Sequence, residues 1–159
     1  MMAKTKPAAP MQSPPRGCTN FKLRQITRTV SRRYDAAVAS SGLKTTQYSL
    51  LSHIAALGPV RPSDLAVNMN LEVSTLSRNL QPLVALGLVE LGAGPDARTR
   101  LVSLTDAGRA KRTETQRLWK QAQLSLNETL GEARVAQLHQ LIDDCLALLG
   151  DEGDTDDNE

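Results

Sequence analysis

Val60-Arg61-Pro62-Ser63-Asp64-Leu65-Ala66 is followed by Leu71-Glu72-Val73-Ser74-Thr75-Leu76-Ser77-Arg78 and by Gly87-Leu88-Val89-Glu90-Leu91. A short Gly/Pro loop then leads to Asp96-Ala97-Arg98-Thr99-Arg100-Leu101-Val102-Ser103-Leu104. Pro62 suits a first helical turn, where a missing N–H removes no bond, and Asp64 suits the positive end of the helix dipole. Leu65, Ala66 and Met69 make that helix's apolar stripe. Asn68-Met69-Asn70 holds residues that tolerate a left-handed backbone, as a turn requires. A second helix is predicted from about Val73, because Leu76, Leu80 and Leu83 step by four and three and so share one face. Pro82 removes the bond to the Arg78 carbonyl and is expected to bend this helix, and Gly87 ends it. Two branched-rich runs, Leu88–Leu91 and Leu101–Leu104, then read as a short hairpin.

The face of the second helix opposite its leucines collects Ser74, Thr75, Ser77, Arg78 and Gln81, with no carboxylate among them. Short hydrogen-bonding groups and one guanidinium are the inventory for phosphates and base edges. Arg78 is the strongest single candidate, since its fork matches a guanine edge or a phosphate. Arg98 and Arg100 near the hairpin tip suit a phosphate or a narrow minor groove. For Arg100, an ion pair with Asp96 is weighed equally with a DNA contact.

The remainder of the chain reads as helical. A helix over about residues 18–40 carries the stripe Leu23, Ile26, Val30, Tyr34 and Ala37, with Lys22, Arg24, Arg28, Arg32 and Arg33 off it. A second runs from about Leu43 to Leu57, with Thr45 or Thr46 as cap and Tyr48, Leu51, Ile54 and Ala55 inward. After the hairpin, Thr105 caps a long helix to about Leu130, which repeats Leu118, Ala122 and Leu126. A last helix, Glu132 to Leu149, carries Val135, Leu138, Ile142, Cys145 and Leu149 as a seam, widened by Leu141, Leu146 and Leu148. That is more apolar surface than one compact domain covers alone, so a dimer built from the first and last two helices is weighed against packing within one chain. Residues 1–17, rich in proline, read as a disordered arm and residues 150–159 as an acidic disordered tail.

Aromatics are only 3% of the chain, so the core must be aliphatic. The net charge of +2 hides an asymmetry. The last nine residues carry six acids and no base, which leaves 19 bases against 11 acids, a net +8, on residues 1–150. A basic body is compatible with a polyanionic partner. Two cysteines, Cys18 and Cys145, make neither a disulfide scaffold nor a zinc site. No metal spacing, phosphate loop or nucleophile–base pairing appears, so neither an enzyme, a cofactor nor a catalytic residue is expected. Without an apolar run of membrane length or a signal-peptide core, a cytoplasmic location and no membrane partner are expected.

Five of these matches occur in order: Ser63-Asp64-Leu65-Ala66, Ser74-Thr75-Leu76-Ser77-Arg78, Gly87-Leu88-Val89, Asp96-x-Arg98-x-Arg100, and Ser103-Leu104-Thr105-x-x-Gly108. Together they resemble the winged helix-turn-helix of the MarR family of bacterial transcription regulators, and the likeness extends more loosely from Cys18 to Leu149. Arg61 and Glu72 depart from it, since better N-caps are expected there. The resemblance implies a mostly α (α+β) fold with a two-stranded wing. The winged helix-turn-helix would span about residues 44–104, and the helices at about 18–40 and 105–149 would dimerise. It implies double-stranded DNA as partner, a homodimer on a pseudo-palindromic operator, and repression released by a small aromatic or phenolic anion. Arg24, Arg28, Tyr34, Tyr48, His53 and Trp119 are the groups it offers that anion. A peroxide-sensing branch has a reactive cysteine near the start of its first helix, which makes Cys18 a redox candidate, although the branch's supporting tyrosines are not matched here. Cys145 reads as a buried small apolar residue. A winged helix that binds protein rather than DNA is the rival of another class; it would call for an acidic or apolar recognition face.

Overall fold

A computed structural model of the chain describes residues 16–96 and 98–150. The expected N-terminal arm and acidic tail therefore lie almost wholly outside the described residues. Among these residues six α-helices, one short 3-10 helix (Ala39–Ser41, after the first) and one hairpin follow in order: α1 Thr19–Val38, α2 Thr45–Leu57, α3 Pro62–Asn68, α4 Val73–Ala85, β1 Val89–Ala93, β2 Arg100–Leu104, α5 Asp106–Leu130 and α6 Glu132–Leu149. The mostly helical class with a two-stranded antiparallel wing is as the sequence predicts. Among the described residues no helix is long and apolar enough to cross a membrane.

One aliphatic core sits under the winged segment. Leu51, Ile54, Leu65, Leu76, Leu83, Val89 and Val102 are within 2% of complete burial, and Leu43, Leu50, Leu80, Leu88 and Leu104 join them. The predicted leucine face of α4 is therefore what anchors it. α4 runs past Pro82 to Ala85, with the Leu86 N–H donating to the Pro82 carbonyl at 3.0 Å. Gly87 then takes φ 68°, a conformation glycine adopts at no steric cost. Asn70 adopts φ 51° in the turn between α3 and α4, as the Asn-Met-Asn reading requires.

Several expectations are corrected. Neither Thr45 nor Thr46 caps α2; Lys44 holds that position, its N–H donating to Gln47 Oε1 at 2.9 Å, while the Thr45 N–H donates to Asp35 Oδ1 at 2.8 Å. Ala55 is exposed and Leu50 is buried in its stead, because the face of α2 turned to the core centres on Leu50, Leu51 and Ile54, and Ala55 lies at the edge of that face. Gly92, expected in the loop, pairs with Leu101, so β1 is longer than its branched residues imply. Val60 adds a bridge to the sheet: its N–H donates to the Val102 carbonyl at 3.1 Å, and the Val102 N–H returns a bond of 2.8 Å. That tie fixes the wing against the start of α3.

The larger correction concerns α1 and α6. Leu23 and Ile26 were expected on a buried stripe but are 54% and 42% exposed; only Tyr34 and Val38 of α1 are buried. On α6 only Val135 is buried. Cys145 and Leu149, expected on the packed seam, are both exposed. Among the described residues of one chain nothing covers the first half of α1 or most of α6, because both extend beyond the winged core.

Candidate nucleic-acid interface

The predicted recognition face is presented as a surface. Ser74, Ser77, Arg78 and Gln81 are exposed and Thr75 is half-buried, while Leu76, Leu80 and Leu83 hold the opposite side in the core. Glu72 starts α4 with no side-chain cap, as Arg61 starts α3, which leaves the departure from good N-cap chemistry real at both helices. The Arg78 guanidinium reaches Thr75 Oγ1 only at 3.4 Å, a bond too long to hold it away from a ligand.

The wing tip is organised by one carboxylate. Asp96 Oδ1 accepts from the Thr99 hydroxyl at 2.7 Å, from the Arg98 N–H at 3.0 Å and from the Thr99 N–H at 2.7 Å. These bonds, the Thr99 hydroxyl first, hold its pKa below the usual aspartate value, and the positive charge of Arg61 adds to the effect. Asp96 is therefore engaged with the turn, and the structure gives it no bond to Arg100. Gly94 closes the tip by donating to the Thr99 carbonyl at 2.7 Å. Arg98 and Arg100 are exposed, and Arg100 sits opposite Ala93 at the end of the ladder. Arg61 was read from sequence only as a poor helix cap. The bridge between Val60 and Val102 brings the neighbouring Arg61 to the side of the wing.

Recognition helix and wing are joined at one knot. The Thr105 hydroxyl donates to the Gly87 carbonyl at 2.7 Å and accepts from the Gly108 N–H at 3.0 Å, while the Thr105 N–H donates to the Leu88 carbonyl at 3.2 Å. The end of α4, the start of β1 and the first turn of α5 thereby share one cap.

Of the residues offered to an effector, three come together. The Trp119 ring centroid lies 6.2 Å from that of Tyr34 and 5.9 Å from that of Tyr48. The Tyr34 hydroxyl donates to Gln123 Oε1 at 2.5 Å, and burial pushes the Tyr34 pKa up. The other three stand apart. His53 is half-buried with Nδ1 2.8 Å from the Ser49 carbonyl oxygen. Arg24 and Arg28 are exposed, ten and six residues before Tyr34, or roughly 15 and 9 Å along the helix. Cys18 is exposed just before α1, and its side chain caps nothing.

The model of the MarR family matches residues 41–99, the span from the approach to α2 through the wing tip. MosR, a transcriptional regulator of M. tuberculosis solved in complex with DNA, is 33% identical at a TM-score of 0.67, covering 81% of this chain and 98% of its own. A mutant MarR from E. coli, complexed with operator DNA, superposes at a TM-score of 0.74 with 24% identity, over 80% of this chain and 92% of its own; at that identity the likeness speaks for the fold alone. YwoH, an HTH-type transcriptional regulator of Bacillus subtilis, is 27% identical over 93 residues, 58% of this chain and 68% of its own length.

Proposed function

Because the chain belongs to the MarR family of transcription regulators, we propose that it is a homodimeric repressor that reads a pseudo-palindromic operator and lets go when a small aromatic anion binds. The observation that carries the DNA-binding part is the acid-free face of α4 together with the two exposed wing arginines. Ser74, Thr75, Ser77, Arg78 and Gln81 would enter the major groove, where donors and acceptors distinguish all four base pairs. Arg98 and Arg100 would lie along the adjacent minor groove or its phosphates. An acidic or apolar face, as a protein-binding winged helix would need, is not what α4 presents.

A homodimer is supported by the apolar surface that one chain leaves open. Phe21, Leu23 and Ile26 on α1 and Leu138, Leu141, Ile142, Leu146, Leu148 and Leu149 on α6 are 38–79% exposed. A patch of that kind marks an interface, and a second copy buries it symmetrically while setting two recognition helices about one DNA turn (~34–36 Å) apart. The Tyr34, Tyr48 and Trp119 cluster lies where α1, α2 and α5 meet, between the helices that would dimerise and the winged core. An aromatic effector wedged there would change the separation of the two α4 helices.

Fluorescence anisotropy tests the reading: a duplex from upstream of the protein's own gene against a scrambled duplex of equal length, over a salt series. Tight binding to the first with a steep salt slope is expected, and Arg78→Ala should lose about 1–3 kcal/mol on it if a bidentate base contact is removed. Absence of binding to either duplex at low salt would put the protein-binding alternative first.

A further inference from the structure

Beside the recognition face lies a groove that shares Arg78 with it and whose other lining residues are not among the DNA contacts above. Its walls are the start of α2, with Lys44, Thr46, Gln47 and Leu50, and the flank of α4, with Arg78, Asn79 and Pro82; it encloses about 230 Å³. Leu50 is buried, and every other lining residue keeps exposed or half-exposed surface. The lining contains two cations and no acid. Gln47 has a defined role in it: its Oε1 is occupied by the Lys44 N–H, so the amide must present its NH2 as the free donor. Arg78 borders both the groove and the recognition face, since residues 78 and 82 stack one turn apart on α4.

From this geometry, and resting on the DNA-binding reading above, we infer that the groove seats a phosphodiester of the DNA backbone, with Lys44 supplying charge and Gln47 a donor alongside Arg78. An oxyanion is the chemistry that two cations and an amide NH2, uncompensated by any carboxylate, recognise. The lining argues against an aromatic effector: Leu50 and Pro82 are its apolar residues and none is aromatic, whereas sites for organic ligands are lined mostly by apolar and aromatic side chains. Position decides for the DNA. A helix lying in a major groove about 12 Å wide has a sugar–phosphate strand along each flank, and the groove occupies one such flank. Lys44 and Gln47 then fix the register in which Arg78 meets the bases. They carry no sequence information themselves.

The test is anisotropy over a salt series on the own-gene duplex and the scrambled one, with wild type, Lys44→Gln, Lys44→Arg and Gln47→Ala. Lys44→Gln should reduce the slope of log affinity against log salt by about 0.9 on both duplexes, as loss of one phosphate contact does. Lys44→Arg should restore it, and Gln47→Ala should weaken binding to both duplexes with the slope unchanged. An unchanged slope in Lys44→Gln, with wild type still binding, overturns the groove assignment and leaves the DNA-binding reading standing. A wild type that binds neither duplex at low salt overturns both. Inorganic phosphate exchanged for chloride at constant ionic strength separates the two sources of oxyanion. No change in wild-type binding is expected; a loss that Lys44→Gln abolishes would assign the groove to a free anion instead. Lys44 is exposed, so thermal melts of its two variants should match wild type; Gln47→Ala loses the bond from the Lys44 N–H and should melt slightly lower.

Discussion

Gly108 stands in the first turn of α5 and is buried. A Cβ at this position would lie 1.9 Å from the Leu88 carbonyl oxygen, a backbone atom that cannot swing aside. In an open helix, alanine would gain about 1 kcal/mol over glycine. Here overpacking costs about 1–3 kcal/mol or more, so the sign reverses: Gly108→Ala should lower the thermal midpoint and weaken DNA binding by displacing β1. A midpoint equal to or above wild type would show that α5 does not press on β1. Asp96 makes a second residue-scale prediction. Its carboxylate is held charged by the Thr99 hydroxyl and by two N–H groups. A lowered pKa means that its contribution to tip order is present above the unfolded value of about 3.9 and disappears as pH falls through the folded one. A carboxyl NMR titration should place the Asp96 midpoint below that of an unfolded aspartate, and Asp96→Ala should weaken DNA binding while leaving the helical signal intact. A midpoint at or above the unfolded value would mean the tip bonds are not kept in solution.

Between elements, the knot at Thr105 shows why a local motif works. Ser103-Leu104-Thr105-x-x-Gly108 was legible as a family likeness, and Thr105 as a cap, but the spacing does not reveal that the same hydroxyl also donates to Gly87 at the end of α4. Thr105→Val should lose about 1 kcal/mol as a cap alone, a fall of about 2–4 °C in the midpoint for a chain of this size. A fall near the upper end of the cap range, about 2 kcal/mol, would attribute the excess to the Gly87 bond; no fall would remove the cap from the account. Periodicity found α3, α4, α5 and α6 within a residue or two, because leucine spacing and Gly or Pro stops are local signals. What it could not find depends on chain segments distant in sequence. The Val60–Val102 bridge, the Asp35 bond to the Thr45 N–H and the groove between α2 and α4 are all of that kind. The donor face of α4 was legible because an amphipathic helix with a buried leucine side must show its other side. Tyr34, Tyr48 and Trp119 were named as a set from likeness, and their meeting was not deducible from positions spread over three helices.

At the scale of the molecule, the winged core and the helical extensions obey different accounts. The core is complete in one chain: Leu51, Leu65, Leu76, Leu83 and Val102 reach full burial without a partner. The extensions are not, since Leu141 is 62% exposed and Ile142 41% on a helix that buries one residue. A charged pair on α6 should therefore separate subunits and spare the fold of the DNA-reading part. We expect Leu141→Glu/Ile142→Glu to sediment as a monomer with the winged core still folded, visible as native chemical shifts for residues of α3, α4 and the wing. Two half-sites bound by one dimer gain about 10²–10⁴ in affinity over one half-site bound by one subunit, through effective concentration. The variant should lose affinity of that order on a two-half-site duplex and little on a duplex carrying one half-site, so the ratio between the two duplexes is the decisive number. If the variant stays dimeric with the ratio preserved, the contact between subunits lies off this face of α6. If it unfolds outright, the winged core depends on the partner, against what its burial within one chain implies.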